Sequence, residues 1–192
     1  LTSIWRVFVK HYQLSDQQIA QFERYVQELK QWNEQINLTA LTDERDIIEL
    51  HFDDSLRVTQ FIDFPKITAC CDVGSGGGFP GIPLKILYPH LTIYLIEVKR
   101  KRINFLEHLI DTLHLENVAV FPIDWRTFLR KTEFSIDLFC ARASLEPEEL
   151  VRMFKPSCPY NEDKLIYWAS RHWEPTKKVA PYVVNDWDYH VG

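Results

Sequence analysis

A cluster of glycines constrains this chain more than any other feature. It lies between a β-prone run, Ile67–Val73, and an apolar run, Ile82–Leu87. This order predicts a strand, a ligand-binding loop and a helix, because glycine tolerates positive φ and lets a ligand approach the backbone closely. Asp72 would then lie at the carboxyl end of the strand, where open α/β sheets bind their ligands.

The spacing of the glycines separates two classes of cofactor. The dinucleotide pattern G-x-G-x-x-G fails when it starts at Gly74, because its third glycine falls on Phe79. When it starts at Gly76 it matches, but late in the loop and with a proline inside it. The register D-x-G-x-G-x-G, from Asp72 to Gly78, is typical of class I methyltransferases that use S-adenosylmethionine (SAM). SAM is therefore favoured over a nucleotide cofactor and over a glycine-rich turn without a ligand.

Length and composition predict one globular domain. The chain has 192 residues, of which 46% are hydrophobic and 14% aromatic. No apolar run approaches the length of a membrane span and no signal peptide opens the chain, so we expect a cytoplasmic protein without membrane association. Leu1 is not a natural start, so we expect the first residues to be missing. The net charge of −5 argues weakly against general binding of nucleic acid but leaves local contact open.

The four cysteines predict neither a disulfide framework nor a metal site. Cys70, Cys71 and Cys140 lie in apolar strand-like runs, and no pair among these three and Cys158 has the C-x-x-C spacing. We therefore expect buried free thiols, a reducing compartment and no zinc.

Residues 1–65 are predicted to be helical. Ser15-x-x-Gln18 matches a capping box, and apolar residues then recur at helical spacing up to Ile36. Residues 42–44 can cap a second helix, and a third is expected over Ser55–Ile62. Such helices either cover one side of a sheet or form a lid on a site.

From Ile67 onward, strand-like and helical segments alternate. The predicted strands are Ile67–Val73, Leu91–Val98, Val118–Pro122, Phe134–Ala141 and Leu165–Trp168. This alternation predicts an α/β fold with a mainly parallel sheet and helices on both faces. The expected organisation is a helical cap over residues 1–65, packed on a ligand-binding domain over residues 66–192 whose last strands are incomplete.

Charged residues end three of the predicted strands. Glu97 ends the second, where a carboxylate accepts hydrogen bonds from ribose hydroxyls in SAM or NAD. Asp124 follows the third, where an acid commonly accepts from the adenine amino group in class I methyltransferases. Arg142 ends the fourth. Because a buried charge needs a partner, Arg142 either belongs to the site or forms a structural salt bridge with Asp72 or Glu97.

Two further clusters are candidates for function. A compact basic run fits either a local contact with RNA or a solvated helix start. It consists of Lys99, Arg100, Lys101 and Arg102. His51, Asp54 and Ser55 suggest a hydrolase, but Ser55 lacks the G-x-S-x-G elbow of such a nucleophile. We therefore favour a capping or hydrogen-bonding role for Asp54 and Ser55.

Several motifs in residues 15–155 point to one family. Two are specific: Trp32-Asn33 followed by Asn37-Leu38-Thr39, and the glycine loop with its ending Phe79-Pro80-Gly81-Ile82-Pro83-Leu84. The others are His51-x-x-Asp54-Ser55-Leu56, Arg102, Phe105-Leu106, Leu115-Glu116-Asn117-Val118 and Arg142-Ala143. In this order they closely resemble the bacterial 16S rRNA guanine-N7 methyltransferases, also called glucose-inhibited division protein B.

The resemblance implies a fold, a cofactor and a substrate. The fold is a Rossmann-like class I methyltransferase with an N-terminal helical extension, expected to be a monomer without a metal ion. SAM is the methyl donor, and N7 of a guanine in the 530 loop of 16S rRNA is the acceptor, in free rRNA or in the 30S subunit. The positions that match the family's cofactor site are Gly74, Phe79, the backbone of Asp124, Trp125 and Arg126, and Arg142.

Four residues from the loop and the strand ends complete the predicted cofactor site. They are Asp72, Gly76, Gly78 and Glu97. Arg142 is also the candidate catalytic residue, since it can orient the substrate or the cofactor carboxylate. The basic run 99–102 is the predicted RNA contact.

The chain departs from the family at three places. Where Asp124 stands the family usually has arginine, and where Arg126 stands an acid is common. Ser170-Arg171 replaces a Lys-Gly pair. These differences keep a second function in view: a divergent SAM-binding protein, or a methyltransferase that acts on another RNA.

Overall fold

A computed structural model describes residues 2–189. The N-terminal part contains only helices: α1 (Ser3–Tyr12), α2 (Asp16–Ile36), α3 (Glu44–Ile47), a π-helical turn (Ile48–Asp53), α4 (Asp54–Leu56) and two 3₁₀ turns (Arg57–Gln60 and Phe64–Lys66). Strands and helices then alternate: β1 (Ala69–Val73), α5 (Gly81–Leu87), β2 (Thr92–Ile96), α6 (Arg100–Thr112), β3 (Val118–Phe121), α7 (Trp125–Lys131), β4 (Leu138–Arg142), α8 (Pro147–Leu150), a 3₁₀ turn (Val151–Phe154), β5 (Lys164–Trp168) and a last 3₁₀ turn (Ala180–Tyr182). Within residues 2–189 no helix combines the length and the hydropathy needed to cross a membrane.

The five strands form one parallel sheet in the order β3–β2–β1–β4–β5. The order of strands reverses at β1, which lies between β2 and β4. Open α/β sheets form a crevice beyond the carboxyl ends of their strands at such a reversal. The register pairs Asp72 of β1 with Leu95 of β2 and with Cys140 of β4. The ends of these three strands therefore meet at one edge, and the predicted parallel α/β fold is confirmed.

The fourth strand is shorter than the sequence predicts. Phe134–Ala141 was the expected range, but β4 begins at Leu138. The preceding residues have other hydrogen-bond partners. The Phe134 N–H donates to Tyr160 Oη at 3.1 Å. The carboxylate of Asp137 accepts from the N–H groups of Thr68 and Ala69, which precede and begin β1. Residues 134–136 lie outside the ladder, and Asp137, whose N–H donates to the carbonyl of Ala69 at 3.0 Å, leads directly into β4.

The second and third predicted helices are one continuous run, the helical segment 44–60. Asp43 caps its start by accepting from Arg45 N at 2.8 Å. The expected break near Ser55 is absent, and Ser55 Oγ donates to the carbonyl of His51 within the helix, a bond that often bends helices. The segment passes through the π-helical turn instead, a rare geometry that occurs frequently at functional sites.

Both faces of the sheet are covered. On one face, Cys70, Ile93 and Leu138 pack in a cluster with side chains of α2, α5, α6 and the helical segment 44–60. On the other, Cys71 and Phe139 pack with α7, α8 and their neighbours. The first cluster extends into α1, so the N-terminal helices and the sheet share a continuous apolar core. The expectation of buried free thiols is confirmed for the three cysteines of β1 and β4, and Cys158 is half-buried.

The capping box at the start of α2 is confirmed. Ser15 Oγ accepts from Gln18 N at 3.3 Å, and Gln18 Oε1 accepts from Ser15 N at 2.9 Å. The amide of Gln18 also donates to the carbonyls of Ile86 and Leu87, at 2.8 and 3.1 Å. The cap therefore connects α2 to the end of α5, the helix that follows the glycine loop.

Replacing the cap should destabilise the protein. We expect Ser15→Ala to lower the free energy of unfolding by about 0.5–2 kcal/mol, and Ser15→Gly by only a few tenths, because glycine leaves the N–H groups open to water. Urea unfolding of the two variants measures both values. Equal losses would show that the Ser15 side chain does not act as the cap.

Candidate functional site

The glycine loop is anchored to the end of β2. The N–H groups of Gly74 and Ser75 both donate to the carbonyl of Ile96, at 2.9 and 3.0 Å. Gly74, Gly76 and Gly78 have φ values of 74°, 57° and 95°, in the left-handed region that side chains rarely adopt. The loop can therefore turn sharply between β1 and α5 and keep its backbone close to the crevice.

Asp72 is fully buried beneath this loop. Its Oδ2 accepts from Gly81 N at 2.9 Å, at the first residue of α5. Its Oδ1 has no hydrogen-bond partner among residues 2–189. Burial raises the pKa of this carboxyl to about 7, against the lowering effects of the Gly81 N–H and of Arg142. A buried carboxyl oxygen without a partner is costly, and a donor from a ligand would satisfy it.

Glu97 is also buried, directly after β2. Its Oε2 accepts from Gly76 N at 3.0 Å, and its Oε1 accepts from the N–H groups of Val98 and Lys99, both at 2.9 Å. A carboxylate offers about four acceptor positions, so roughly one remains for a further donor. The side chain thus holds the loop in place and keeps the capacity to accept from a hydroxyl.

The three glycines with positive φ have different surroundings. A Cβ on Gly74 would lie 2.5 Å from Cβ of Ser144, and one on Gly78 would lie 2.7 Å from Tyr25 Oη. A Cβ on Gly76 would meet nothing closer than Arg102 Nη1, at 3.7 Å. Packing therefore requires glycine at the first and third positions, while Gly76 borders open space. That space, the free Asp72 oxygen and the remaining acceptor of Glu97 fit a ligand that carries hydrogen-bond donors.

The segment 124–126 has structural roles through its side chains. Asp124 caps α7 by accepting from the N–H and the hydroxyl of Thr127, at 3.0 and 2.8 Å, and these bonds hold its carboxyl pKa below the usual value. Trp125 is buried and donates to the carbonyl of Glu149 at 3.1 Å. Arg126 forms a salt bridge with the Glu149 carboxylate. The segment's backbone role at the cofactor stays a prediction.

Phe79 lies under a set of stacked side chains. Its ring is 4.4 Å from that of His51 and 5.5 Å from that of Tyr25, centroid to centroid, with interplanar angles of 19° and 14°. The guanidinium of Arg142 lies 5.2 Å from the Phe79 centroid. The ring of Phe79 is therefore a packing platform that joins the loop to α2 and to the helical segment 44–60.

Arg142 is bound to the helical segment 44–60. Its Nη1 donates to Asp54 Oδ2 and to the carbonyl of Leu50, the latter at 3.0 Å, and its Nη2 donates to His51 Nδ1 at 2.8 Å. Sequence reasoning offered Asp72 or Glu97 as the partner in a structural salt bridge, but the ion pair is with Asp54.

His51 is held neutral in this arrangement. Burial, and then the charge of Arg142, lower its pKa to about 4. Because Arg142 donates to Nδ1, the ring proton belongs on Nε2, which is 2.7 Å from Thr39 Oγ1. Thr39 N in turn donates to Asn33 Oδ1 at 2.9 Å. The hydrogen bonds thus join three separate sequence motifs at Arg142.

The four residues of the basic run differ in their exposure. Lys99, Arg100 and Lys101 are exposed at the start of α6. Arg102 is half-buried and turns toward the glycine loop, where its Nη1 lies 3.8 Å from Glu97 Oε2. The first three residues are thus available to a large partner, and Arg102 lies beside the candidate cofactor site.

Comparison with known proteins assigns the chain to a family. A family model described as GidB, rRNA small subunit methyltransferase G, matches residues 18–179. The chain belongs to this family. The family that the sequence motifs suggest is therefore confirmed.

Curated relatives of the GidB family are longer than this chain. The ribosomal RNA small subunit methyltransferase G of Geobacillus sp. is 45% identical over 150 residues, which cover 77% of this chain and 63% of the relative. That of Bacillus velezensis is 45% identical over 132 residues, covering 68% and 55%. The chain thus spans less than two thirds of these relatives.

A solved structure supports the fold. The Staphylococcus aureus protein described as a caffeoyl-CoA O-methyltransferase has a TM-score of 0.52 and 15% identity, and the match covers 79% of this chain and 66% of that protein. At this identity the similarity shows only a shared fold, the class I methyltransferase fold that the sequence predicts.

In this GidB-family chain, sequence reasoning found the loop but missed the partners of Arg142. Asp54 was expected only to cap or to form hydrogen bonds, and His51 entered through the rejected hydrolase and through a family motif, without an assigned contact. Their spacing in His51-x-x-Asp54 was the available signal, because residues three apart share a helical face. What they contact could not be read from the sequence, since Arg142 lies far away along the chain.

The glycine positions predict contrasting effects on stability. We expect Gly74→Ala to lower the free energy of unfolding by about 1–3 kcal/mol more than Gly76→Ala, because both carry the cost of positive φ but only the first clashes with Ser144. Urea unfolding measures the difference. Adding Ser144→Gly to Gly74→Ala should recover part of the loss, and equal losses in the two single variants would contradict the packing argument.

Proposed function

We propose that this protein transfers the methyl group of SAM to N7 of a guanine in the 530 loop of 16S rRNA. The observation that carries the proposal is membership in the rRNA small subunit methyltransferase G family, matched over residues 18–179. A cytoplasmic location, a monomeric state and action without a metal ion belong to the same proposal. The location follows from an rRNA substrate, and action without a metal ion follows from chemistry that needs no Lewis acid.

The candidate site supports SAM as the cofactor. SAM supplies an activated methyl group when bound. Asp72 and Glu97 place two carboxyl groups where a cationic ligand needs them, and the remaining acceptor of Glu97 suits a ribose hydroxyl. Gly76 leaves room for the ligand, and the backbone of residues 124–126 is proposed to bind the adenine.

The reaction requires no proton transfer by the side chains. Guanine N7 has a lone pair and no proton, so no general base is needed. The protein must hold N7 in line with the methyl group, about 3 Å away, which can supply much of the rate enhancement. It must also tolerate the positive charge that develops on the guanine. Arg142 is proposed to orient the cofactor or the RNA, and not to accept a proton.

A second candidate is a SAM-binding protein, or a methyltransferase of another RNA. The observation that favours it is the departure from the family at Asp124, Arg126 and Ser170-Arg171. Asp124 and Arg126 are both occupied in structural contacts through their side chains. This candidate keeps the cofactor site and either changes the acceptor or transfers no methyl group.

Two measurements test the proposed function. Calorimetric titration should show binding of SAM and none of NAD, because the register from Asp72 to Gly78 fits SAM better than NAD; binding of NAD alone would overturn SAM as the cofactor. Transfer from labelled SAM should then modify 30S subunits or naked 16S rRNA at N7 of one guanine. SAM binding without transfer to either substrate would favour the second candidate.

RNA binding should depend locally on the exposed part of the basic run. We expect Lys99→Gln with Arg100→Gln to weaken RNA affinity and to reduce the slope of its salt dependence by about 1–2, with SAM affinity unchanged. A matched control is Arg130→Gln with Lys131→Gln, which removes the same charge from the far end of α7. Equal effects of both pairs would show that only net charge matters, and the basic run would then be a solvated helix start.

A further inference from the structure

The helical segment 44–60 presents three acceptors to one guanidinium, two from the π-helical turn and one from the start of α4. The carbonyl of Leu50, Nδ1 of His51 and Oδ2 of Asp54 all accept from Arg142. They come from a single stretch of five residues in the helical segment 44–60, whereas Arg142 ends β4. Three contacts and the Phe79 ring fix both the position and the plane of the guanidinium.

These contacts leave one edge of Arg142 available. A guanidinium carries five N–H donors, and the three contacts use only Nη1 and Nη2. Within residues 2–189 the Nε–H makes no hydrogen bond and Nη2 makes only the one to His51, so the Nε–Nη2 edge keeps donors for a side-on contact. Such an edge matches the two oxygens of a carboxylate or phosphate. The side chain of Arg142 is 13% exposed, so this edge lies in a partly desolvated place where an ionic hydrogen bond is strong.

Asp54 is itself held from other directions. Its Oδ1 accepts from Tyr189 Oη at 2.7 Å, and its backbone carbonyl accepts from Trp168 Nε1 at 3.2 Å. His51 is held by its stacking on Phe79 and by Thr39. Neither acceptor can follow Arg142 if it moves, so both define where the guanidinium lies.

We propose that Asp54 and His51 are positioning residues, which fix Arg142 so that its free Nε–Nη2 edge binds an oxyanion of the reactants. The inference rests on the proposed function for the identity of that oxyanion: the amino-acid carboxylate of the cofactor or a phosphate of the RNA. Arg142 touches the oxyanion, while Asp54 and His51 act only through Arg142.

The neighbouring Asp53 offers a closely matched control. Its carboxylate also binds one tyrosine and one arginine: Oδ1 accepts from Tyr12 Oη at 2.7 Å, and Oδ2 accepts from Arg57 at 2.7 and 2.9 Å. Asp53→Asn therefore removes the same charge from the same helical segment without touching Arg142. Both variants should lower the melting temperature, so only the binding measurements separate them.

The first test compares two ligands by calorimetry. S-Adenosylhomocysteine carries the amino-acid carboxylate, and 5′-methylthioadenosine lacks it. We expect Asp54→Asn to weaken S-adenosylhomocysteine roughly tenfold to a hundredfold, the range for loss of a hydrogen bond to a charged group, with 5′-methylthioadenosine unchanged. If RNA affinity falls instead, with S-adenosylhomocysteine unchanged, the oxyanion is a phosphate. The proposal is overturned if Asp54→Asn lowers neither affinity, or if Asp53→Asn causes an equal loss.

A double-mutant cycle tests whether Asp54 acts through Arg142. Arg142→Lys keeps the charge and removes the side-on pair of donors. Asp54→Asn should weaken binding no further in the Arg142→Lys background than in Arg142→Lys alone. Full additivity would show that Asp54 acts by another route and would overturn the proposal.

A third readout needs no ligand and so separates this proposal from the proposed function. In the free protein, NMR should show separate Nη signals for the fixed guanidinium of Arg142, and Asp54→Asn should merge them, while Asp53→Asn should not. Merged signals in the unsubstituted protein overturn the positioning role. Failure of the unsubstituted protein to bind SAM, with separate Nη signals, overturns the proposed function and leaves the positioning of Arg142 supported.

Discussion

Two buried carboxyl groups hold the glycine loop, and the rest of the site depends on them. Asp72 accepts from the N–H of Gly81 at the start of α5, and Glu97 accepts from Gly76 and from the two residues that lead into α6. Backbone N–H groups in a tight loop and at a helix start have no ladder partner. Buried carboxyl groups need donors. The N–H groups donate to the carboxyl oxygens, so the loop is fixed without side chains that would fill the crevice.

The need to pair a buried charge also attaches the N-terminal helices to the sheet. Arg142 at the end of β4 is an obligatory cation, and Asp54 supplies the compensating charge from the helical segment 44–60. Phe79 adds an apolar contact between the loop and both elements. The sheet edge, the loop and the helical segment are therefore connected by one small group of side chains, so a shift in any one would disturb the geometry of the others.

The structural features that depend on local sequence patterns were predicted correctly. The strand order was not predicted, but the parallel sheet, the end of α2 at Ile36, the capping box and Arg142 at the end of β4 follow from periodicity and residue chemistry. The predicted start of β4 was wrong: the Phe134 N–H donates to Tyr160, a contact distant along the chain, and backbone bonding to β1 begins at Asp137. The predicted break before Ser55 was wrong, because the backbone continues through the π-helical turn into α4.

The candidate site shows the same division. The glycines lie between β1 and α5, as the strand, loop and helix order predicts, and their contact with a cofactor stays a prediction. The partner of Arg142 was predicted wrongly, because the carboxylates at the strand ends were expected to lie nearest to it. Only the fold brings Asp54, on a separate helix, next to Arg142. Asp124 looked like a ligand-binding acid because it follows a strand, yet the same position is a helix N-cap, and its side chain serves that role here.

Local costs concentrate where the strands end. Ala143 follows Arg142 with φ of 50°, a left-handed conformation that costs a residue with a Cβ about 1–2 kcal/mol. Within residues 2–189, the buried side-chain polar atoms without a partner are Asp72 Oδ1 and Ser144 Oγ, and Ser144 packs against Gly74. Such costs persist only where surrounding structure imposes them, and they cluster at functional sites. Arg142, before this turn, contacts the helical segment 44–60, and Ser144, after it, packs against the glycine loop. The strained turn therefore lies between the contacts that join the end of β4 to these two elements.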